Sequence, residues 1–87
     1  MKMSEAILKG MERFPRNAIG MFQNGQNAAC VMGCANWAIT GYAEIWHSPW
    51  ADIAEEFEYQ YGVHPADLSN AHVPRDVIAG MFAAIGE

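Results

Sequence analysis

The sequence predicts an α+β domain in which about four helices pack around one short β-hairpin. An all-helical bundle, with a loop in place of the hairpin, is the alternative. Three observations carry this expectation. Apolar residues recur at helical spacing near the start of the chain and again from Trp50 onward. An Asn24-Gly25 pair separates two short uncharged segments, and both central positions of a tight hairpin turn require the positive φ that Asn and Gly tolerate. From Asn17 through Ala43 there is no charged residue, so this whole stretch has to be core, interface, membrane or ligand pocket rather than solvated surface.

Ser4 is expected to cap the first helix, with Met3 and Leu8 at the spacing of a hydrophobic staple. Ile7, Met11 and Phe14 then form its apolar stripe, and Pro15 ends it by forcing the preceding residue out of the helical region. Residues 18–31 are expected to form the hairpin, although Ala and Asn are mediocre strand formers. A second helix should open at Met32 or Gly33, run to about Thr40 and close at Gly41. Cys34, Trp37, Ala38 and Ile39 leave it almost no polar face, which marks a buried helix, with Trp37 in the core.

Ser48-Pro49 is a helix start, a capping hydroxyl followed by proline in the first turn. Trp50, Ile53, Ala54, Phe57 and Tyr61 make the apolar stripe of this third helix. Asp52, Glu55, Glu56 and Glu58 lie largely on its other side, and Gly62 ends it. Residues 64–70 are expected to be a loop or one short turn. Pro74 starts the last helix, with Val77, Ile78, Met81, Phe82 and Ile85 as its apolar face and the small residues Ala79, Gly80, Ala83 and Ala84 opposite. Those small residues suit close packing of another helix or a subunit contact.

The chain of 87 residues fits one small domain. At this size folding buries roughly 60–65% of the unfolded chain's surface, so a partner that adds burial is stabilising. An apolar fraction of 52% is slightly high for so small a monomer, and self-association would hide the excess. Charge is segregated. Residues 1–16 hold four bases against two acids, a balance of +2, whereas residues 44–87 hold Arg75 alone against eight acids, a balance of −7. Such a distribution argues against binding nucleic-acid phosphates. It suits either a solubilising surface or an acidic face that meets a basic partner. The start of the chain has no apolar signal core, which points to a cytoplasmic protein. The uncharged stretch is interrupted by amides, and its longest apolar run, Ala28–Ala35, falls well short of the roughly 20 residues that a bilayer span needs.

Cys30 and Cys34 are the candidate ligand or metal residues. At this spacing in one helix their side chains run parallel, which suits a disulfide poorly. Zinc sites favour two tight ligand pairs, and His47, His64 and His72 supply no second pair, so buried reduced thiols acting as small hydrophobes are the main expectation and no cofactor is expected. A small-molecule or metal site beside the cysteines, using Asn36 and a histidine, stays open as an alternative. A nucleophilic Cys34 near a helix N-terminus, with a histidine base and Asn70, lacks any supporting spacing, and no enzyme activity is expected. The candidate partner-binding residues are Trp46, Glu55, Glu56, Glu58 and Tyr59. Trp46 and Tyr59 lie off the clearest apolar stripes, and Trp and Tyr dominate protein interfaces.

The run Cys30-Val31-Met32-Gly33-Cys34-Ala35, ending in Gly41-Tyr42, gives residues 19–42 a resemblance. It resembles a group of small uncharacterised bacterial and phage proteins in which a helix leads through an aromatic-containing hairpin to a Cys-x-x-Gly-Ala/Cys box that opens a helix. Those proteins often carry an Asn-Asp pair before a final amphipathic helix. Here Asn70-Ala71 stands there and lacks the acid. The resemblance implies the architecture and a phage or mobile-element origin, without an activity. The functional expectation is a small cytosolic module that binds a protein through the acidic third helix and its aromatic neighbours. The alternatives are the cysteine-side ligand site and a structural homo-oligomer associating through the last helix.

Overall fold

A computed structural model describes residues 1–44 and 48–86, with the backbone alone for residues 48–51. Five helices follow in order: α1 (Met3–Arg13), α2 (Val31–Thr40), α3 (Ser48–Tyr61), α4 (Pro65–Asn70) and α5 (Arg75–Ala84). The expected α+β class is therefore overturned, and the all-helical alternative is what the chain adopts. Among the described residues there is no strand, only isolated bridges pairing Ala28 with Arg16 and with Asn24.

The expected tight turn with positive φ at both Asn24 and Gly25 is not formed: among the described residues Asn24 is not left-handed, and a wider turn spans Asn24 to Ala28. Gly25 has φ +69°, and the Asn24 amide donates to the Ala28 carbonyl at 2.8 Å, so the chain does reverse there. The arms that would extend the ladder bond elsewhere. The Arg16 amide donates to Asn27 O, the Ala29 amide to Arg16 O and the Cys30 amide to Met21 O. Residues 15–30 thus form a looped strap whose backbone groups are satisfied by distant turns. Without alternating β-branched side chains to reward a flat ladder, this compact arrangement wins.

α1 buries Met3, Ala6, Ile7 and Gly10, a helical i, i+3, i+4, i+7 stripe. Ser4 is not its cap. The N-cap is Lys2, which makes no side-chain bond, and Ser4 is buried within the first turn while Leu8 is exposed. Phe14 follows as the C-cap, one residue before Pro15. α2 closes at Gly41 in the left-handed conformation (φ 87°), as its sequence predicts. It starts slightly earlier than expected because Cys30 itself is the N-cap, its Sγ accepting from the Gly33 amide at 3.4 Å. Trp37, expected in the core, is only half-buried and meets Phe14 edge-on with ring centroids 6.0 Å apart.

α1 and α2 cross closely because Gly10 carries no side chain. A Cβ there would overlap the backbone of Cys34. Gly33 plays the same part for the strap, since a Cβ on it would run into the Phe22 carbonyl. α3 begins at Ser48, where its cap signal predicts, and Gly62 (φ 73°) ends it. It joins the core through Ala54 and Phe57, the latter lying 4.6 Å from the Phe82 ring of α5. The Tyr61 hydroxyl donates to the Met81 carbonyl at 2.8 Å, a second tie between these helices. Residues 65–70 form a true short helix rather than a loop. Pro65 stands in its first turn, and His64 Nδ1 caps it by accepting from the Ala66 amide at 3.1 Å.

α5 keeps most of the expected stripe, with Ile78 and Phe82 in the core and Met81 and Ile85 packed against it. Its buried positions are Arg75, Ile78, Ala79 and Phe82, whereas Val77 is exposed. Gly80, Ala83 and Ala84 are also exposed, and a Cβ placed on Gly80 meets nothing within 4 Å apart from its chain neighbours and the backbone of its own helix. Among the described residues no helix is long and apolar enough to cross a membrane.

One substitution at three glycines should give opposite results. Gly10→Ala and Gly33→Ala each force backbone apart and should cost about 1–3 kcal/mol of unfolding free energy. Gly80→Ala fills open space on a helix and should gain up to about 1 kcal/mol. Urea denaturation of the three variants measures all of these.

Candidate functional site

Two places hold chemistry: the cysteines with the buried Arg75, and the outward face of α3. Cys30 and Cys34 are both free thiols and both buried. They do not converge on a shared ligand. Cys30 is spent as the α2 cap, whereas Cys34 lies one turn further on and faces the guanidinium of Arg75, whose Nη1 is 3.1 Å from its Sγ. The same Nη1 donates to Phe14 O at 2.7 Å and to Ala29 O at 3.1 Å. Two hydrogens thus serve three acceptors, and Arg75 is only 6% exposed. None of these partners is a carboxylate. The cation is held by carbonyl dipoles, one of them at the negative end of α1.

Burial pushes the Cys34 thiol up, and the Arg75 charge and hydrogen bond oppose that rise without cancelling it. Burial likewise raises Cys30, against amide hydrogen bonds from the helix start and the more distant Arg75 charge. A nucleophilic Cys34 needs the reverse shift, so its position on α2 does not prepare it for attack. Of the other residues of the cysteine-side alternative, Asn36 is fully buried and donates from Nδ2 to Ala43 O at 3.2 Å, while its Oδ1 has no hydrogen-bond partner among the described residues. His64 caps α4, and His72 is exposed in the left-handed region (φ 65°). His47 lies outside the described residues. No group of three or more His, Cys, Asp or Glu side chains among the described residues could hold a metal ion.

The partner-binding candidates fare differently. Trp46 lies outside the described residues. Glu55, Glu56, Glu58 and Tyr59 are all exposed, and Tyr59 reaches 84%. With Ala54 and Phe57 turned inward, Asp52, Glu55, Glu56 and Tyr59 follow i, i+3, i+4, i+7 spacing and share the outward face, with Glu58 at its flank. Gln60 Nε2 donates to Glu56 Oε1 at 3.1 Å, one polar tie along this surface.

Sequence reasoning missed Arg75. The available signal was its spacing: it precedes Ile78, Ala79 and Phe82 by three, four and seven residues and so falls on the buried stripe of α5. Comparison with known protein families, with curated proteins and with solved structures finds no match to this chain.

Replacing Arg75 by Met leaves the Phe14 and Ala29 carbonyls without their donor and should cost about 2–4 kcal/mol, with Arg75→Lys falling between that variant and wild type. Guanidinium-chloride unfolding checks the order. The thiols predict a pH effect as well. Their pKa values are raised in the folded state, so the native protein keeps protons that the unfolded chain releases. This contribution to stability is fully present below the ordinary thiol value of 9.0 and is lost as the pH rises past it. Melting curves between pH 8 and pH 10 should therefore fall more steeply for wild type than for Cys34→Ala, on the order of a few degrees.

Proposed function

We propose that this chain is a small protein-interaction module of the cytoplasm that binds a basic segment of a partner protein through the outward face of α3. One observation carries the reading. From Glu44 to Gly86 the described surface presents seven exposed acids: Glu44, Asp52, Glu55, Glu56, Glu58, Asp67 and Asp76. The single base of this region, Arg75, is buried. Burying Arg75 leaves the negative field of these acids without a local counter-charge at the surface. Tyr59 stands within it, 84% exposed, offering a ring face to a Lys or Arg of the partner. Acids around an exposed aromatic supply steering and an anchor together.

A second reading, self-association through α5, is favoured by the exposed Val77, Gly80, Ala83 and Ala84. A molecular mass that stays at one protomer in light scattering across a hundred-fold range of concentration excludes it.

Affinity capture from host lysate with wild type and with Glu55→Gln/Glu56→Gln/Tyr59→Ala tests the main reading, with circular dichroism confirming the fold of both. A partner specific to wild type should weaken about ten-fold or more in the variant, and its retention should drop as salt rises. Trp46→Ala forms a second arm. Capture unaffected by both the triple variant and Trp46→Ala, or unaffected by salt, refutes an acidic, aromatic contact face.

A further inference from the structure

The chain holds five asparagines: Asn17, Asn24, Asn27, Asn36 and Asn70. Asn24 alone precedes a glycine, whereas the others precede Ala18, Ala28, Trp37 and Ala71. Asn24 and Gly25 are both exposed, in the wide turn that Asn24 closes against Ala28. An asparagine carboxamide is open to attack by the amide nitrogen of the next residue, and the side chain of that residue is the main obstacle to ring closure. Gly25 has no side chain, and even a Cβ placed on it would meet nothing within 4 Å. Among the described residues its amide donates no backbone hydrogen bond, so none has to break before it attacks. The side-chain bond that Gly25 receives, from Gln23 Nε2 at 2.9 Å, falls on its carbonyl and not on its amide.

We propose that Asn24-Gly25 is a self-modifying site, at which the folded protein converts Asn24 to aspartate and isoaspartate through a cyclic succinimide. The Gly25 nitrogen gives up its proton and bonds to Asn24 Cγ, the Cγ–Nδ2 bond breaks, and the side-chain nitrogen leaves as ammonia. Water then opens the five-membered ring. Opening at Cγ gives aspartate with the normal backbone. Opening at the main-chain carbonyl gives isoaspartate, in which the chain runs on through Cγ and is longer by a methylene. Water enters and ammonia leaves, and nothing is oxidised or reduced. The strap makes the two products differ. The Asn24 amide donates to Ala28 O at 2.8 Å, and Ala28 adjoins Ala29, whose carbonyl accepts from the buried Arg75. Isoaspartate lengthens the chain inside this closure, so the disturbance reaches the residue that holds Arg75. Aspartate keeps the length and places a negative charge in a stretch, Asn17 through Ala43, that has none. Arg13 Nη1 donates to Gln26 O, so a positive charge already lies on the turn that receives the new carboxylate. The site shares no residue with the α3 face and does not depend on the partner reading.

The full chain is incubated at mildly acidic and mildly alkaline pH, folded and in urea, and its peptides are sequenced by mass spectrometry. In the folded protein position 24 should gain the mass of an amide-to-acid exchange, several-fold faster at alkaline pH, because the attacking nitrogen has to lose its proton. Asn27, exposed like Asn24 but followed by Ala28, should stay intact in the same samples. Asn24→Gln, which would have to close a six-membered ring, should stop the reaction. After ion exchange separates the products, the isoaspartate form, identified by an isoaspartate-specific carboxyl methyltransferase, should show moved amide signals at Ala28 and Ala29 and a lowered melting temperature. The aspartate form should match Asn24→Asp and melt like wild type. An intact Asn24 in the folded chain, whatever happens in urea, conversion of Asn27 at the rate of Asn24, or an isoaspartate form indistinguishable from wild type overturns the inference.

Discussion

The fold depends on one buried cation. Arg75 Nη1 binds the last carbonyl region of α1 at Phe14, the strap at Ala29 and α2 at Cys34, joining segments up to 61 residues apart in sequence. Its position is costly in two ways. A guanidinium gives up hydration when buried, and at the first residue of α5 it meets the positive end of that helix's dipole. Phe14 O offsets part of this cost, because the end of α1 offers unpaired carbonyls and negative potential. Arg75 thus acts as a remote C-cap for α1 while fixing where α5 begins. Because its acceptors are dipoles rather than a carboxylate, the arrangement is strict in geometry: the strap has to hold Ala29 O within reach or the charge loses its partner.

That requirement accounts for the strap's path. Residues 15–30 hold no regular element, yet both ends are tied down, by Ala29 N to Arg16 O near the guanidinium and by Cys30 N to Met21 O beside α2. Gly33 lets the Phe22 carbonyl approach the helix, and Gly10 lets α1 lie on the backbone of Cys34. A hairpin would project two strands away from these contacts. The uncharged stretch is therefore core in its helical half and a close-fitting cover in its first half. Its amides and glycines serve turns rather than a sheet.

The helices were legible in the sequence because their signals are local. Pro15, Gly41, Ser48-Pro49 and Gly62 each stand where a helix ends or begins in the structure. The strap was not legible, because its hydrogen bonds join residues brought together only by the helix packing, and an Asn-Gly turn states the reversal without stating what flanks it. The exposed acids and Tyr59 followed from periodicity, since α3 is amphipathic. The buried Arg75 did not, nor did the two buried oxygens without a hydrogen-bond partner among the described residues, Asn36 Oδ1 and Ser69 Oγ. A polar residue on an apolar stripe is conventionally given to the surface, and only tertiary contacts reveal where its nitrogen or oxygen ends up.

The same cation shapes the acidic surface proposed as a contact face. Drawn inward, Arg75 leaves the outer face from Glu44 onward uniformly acidic, which raises the field around Tyr59 and lowers affinity for other acidic proteins. By holding Ala29 O it also fixes the residue next to Cys30, whose cap sets the start of α2. The start of α2 and the charge at α3 are thus two consequences of one placement. An exposed arginine at position 75 would partly neutralise the acidic face and would release the strap from the end of α1.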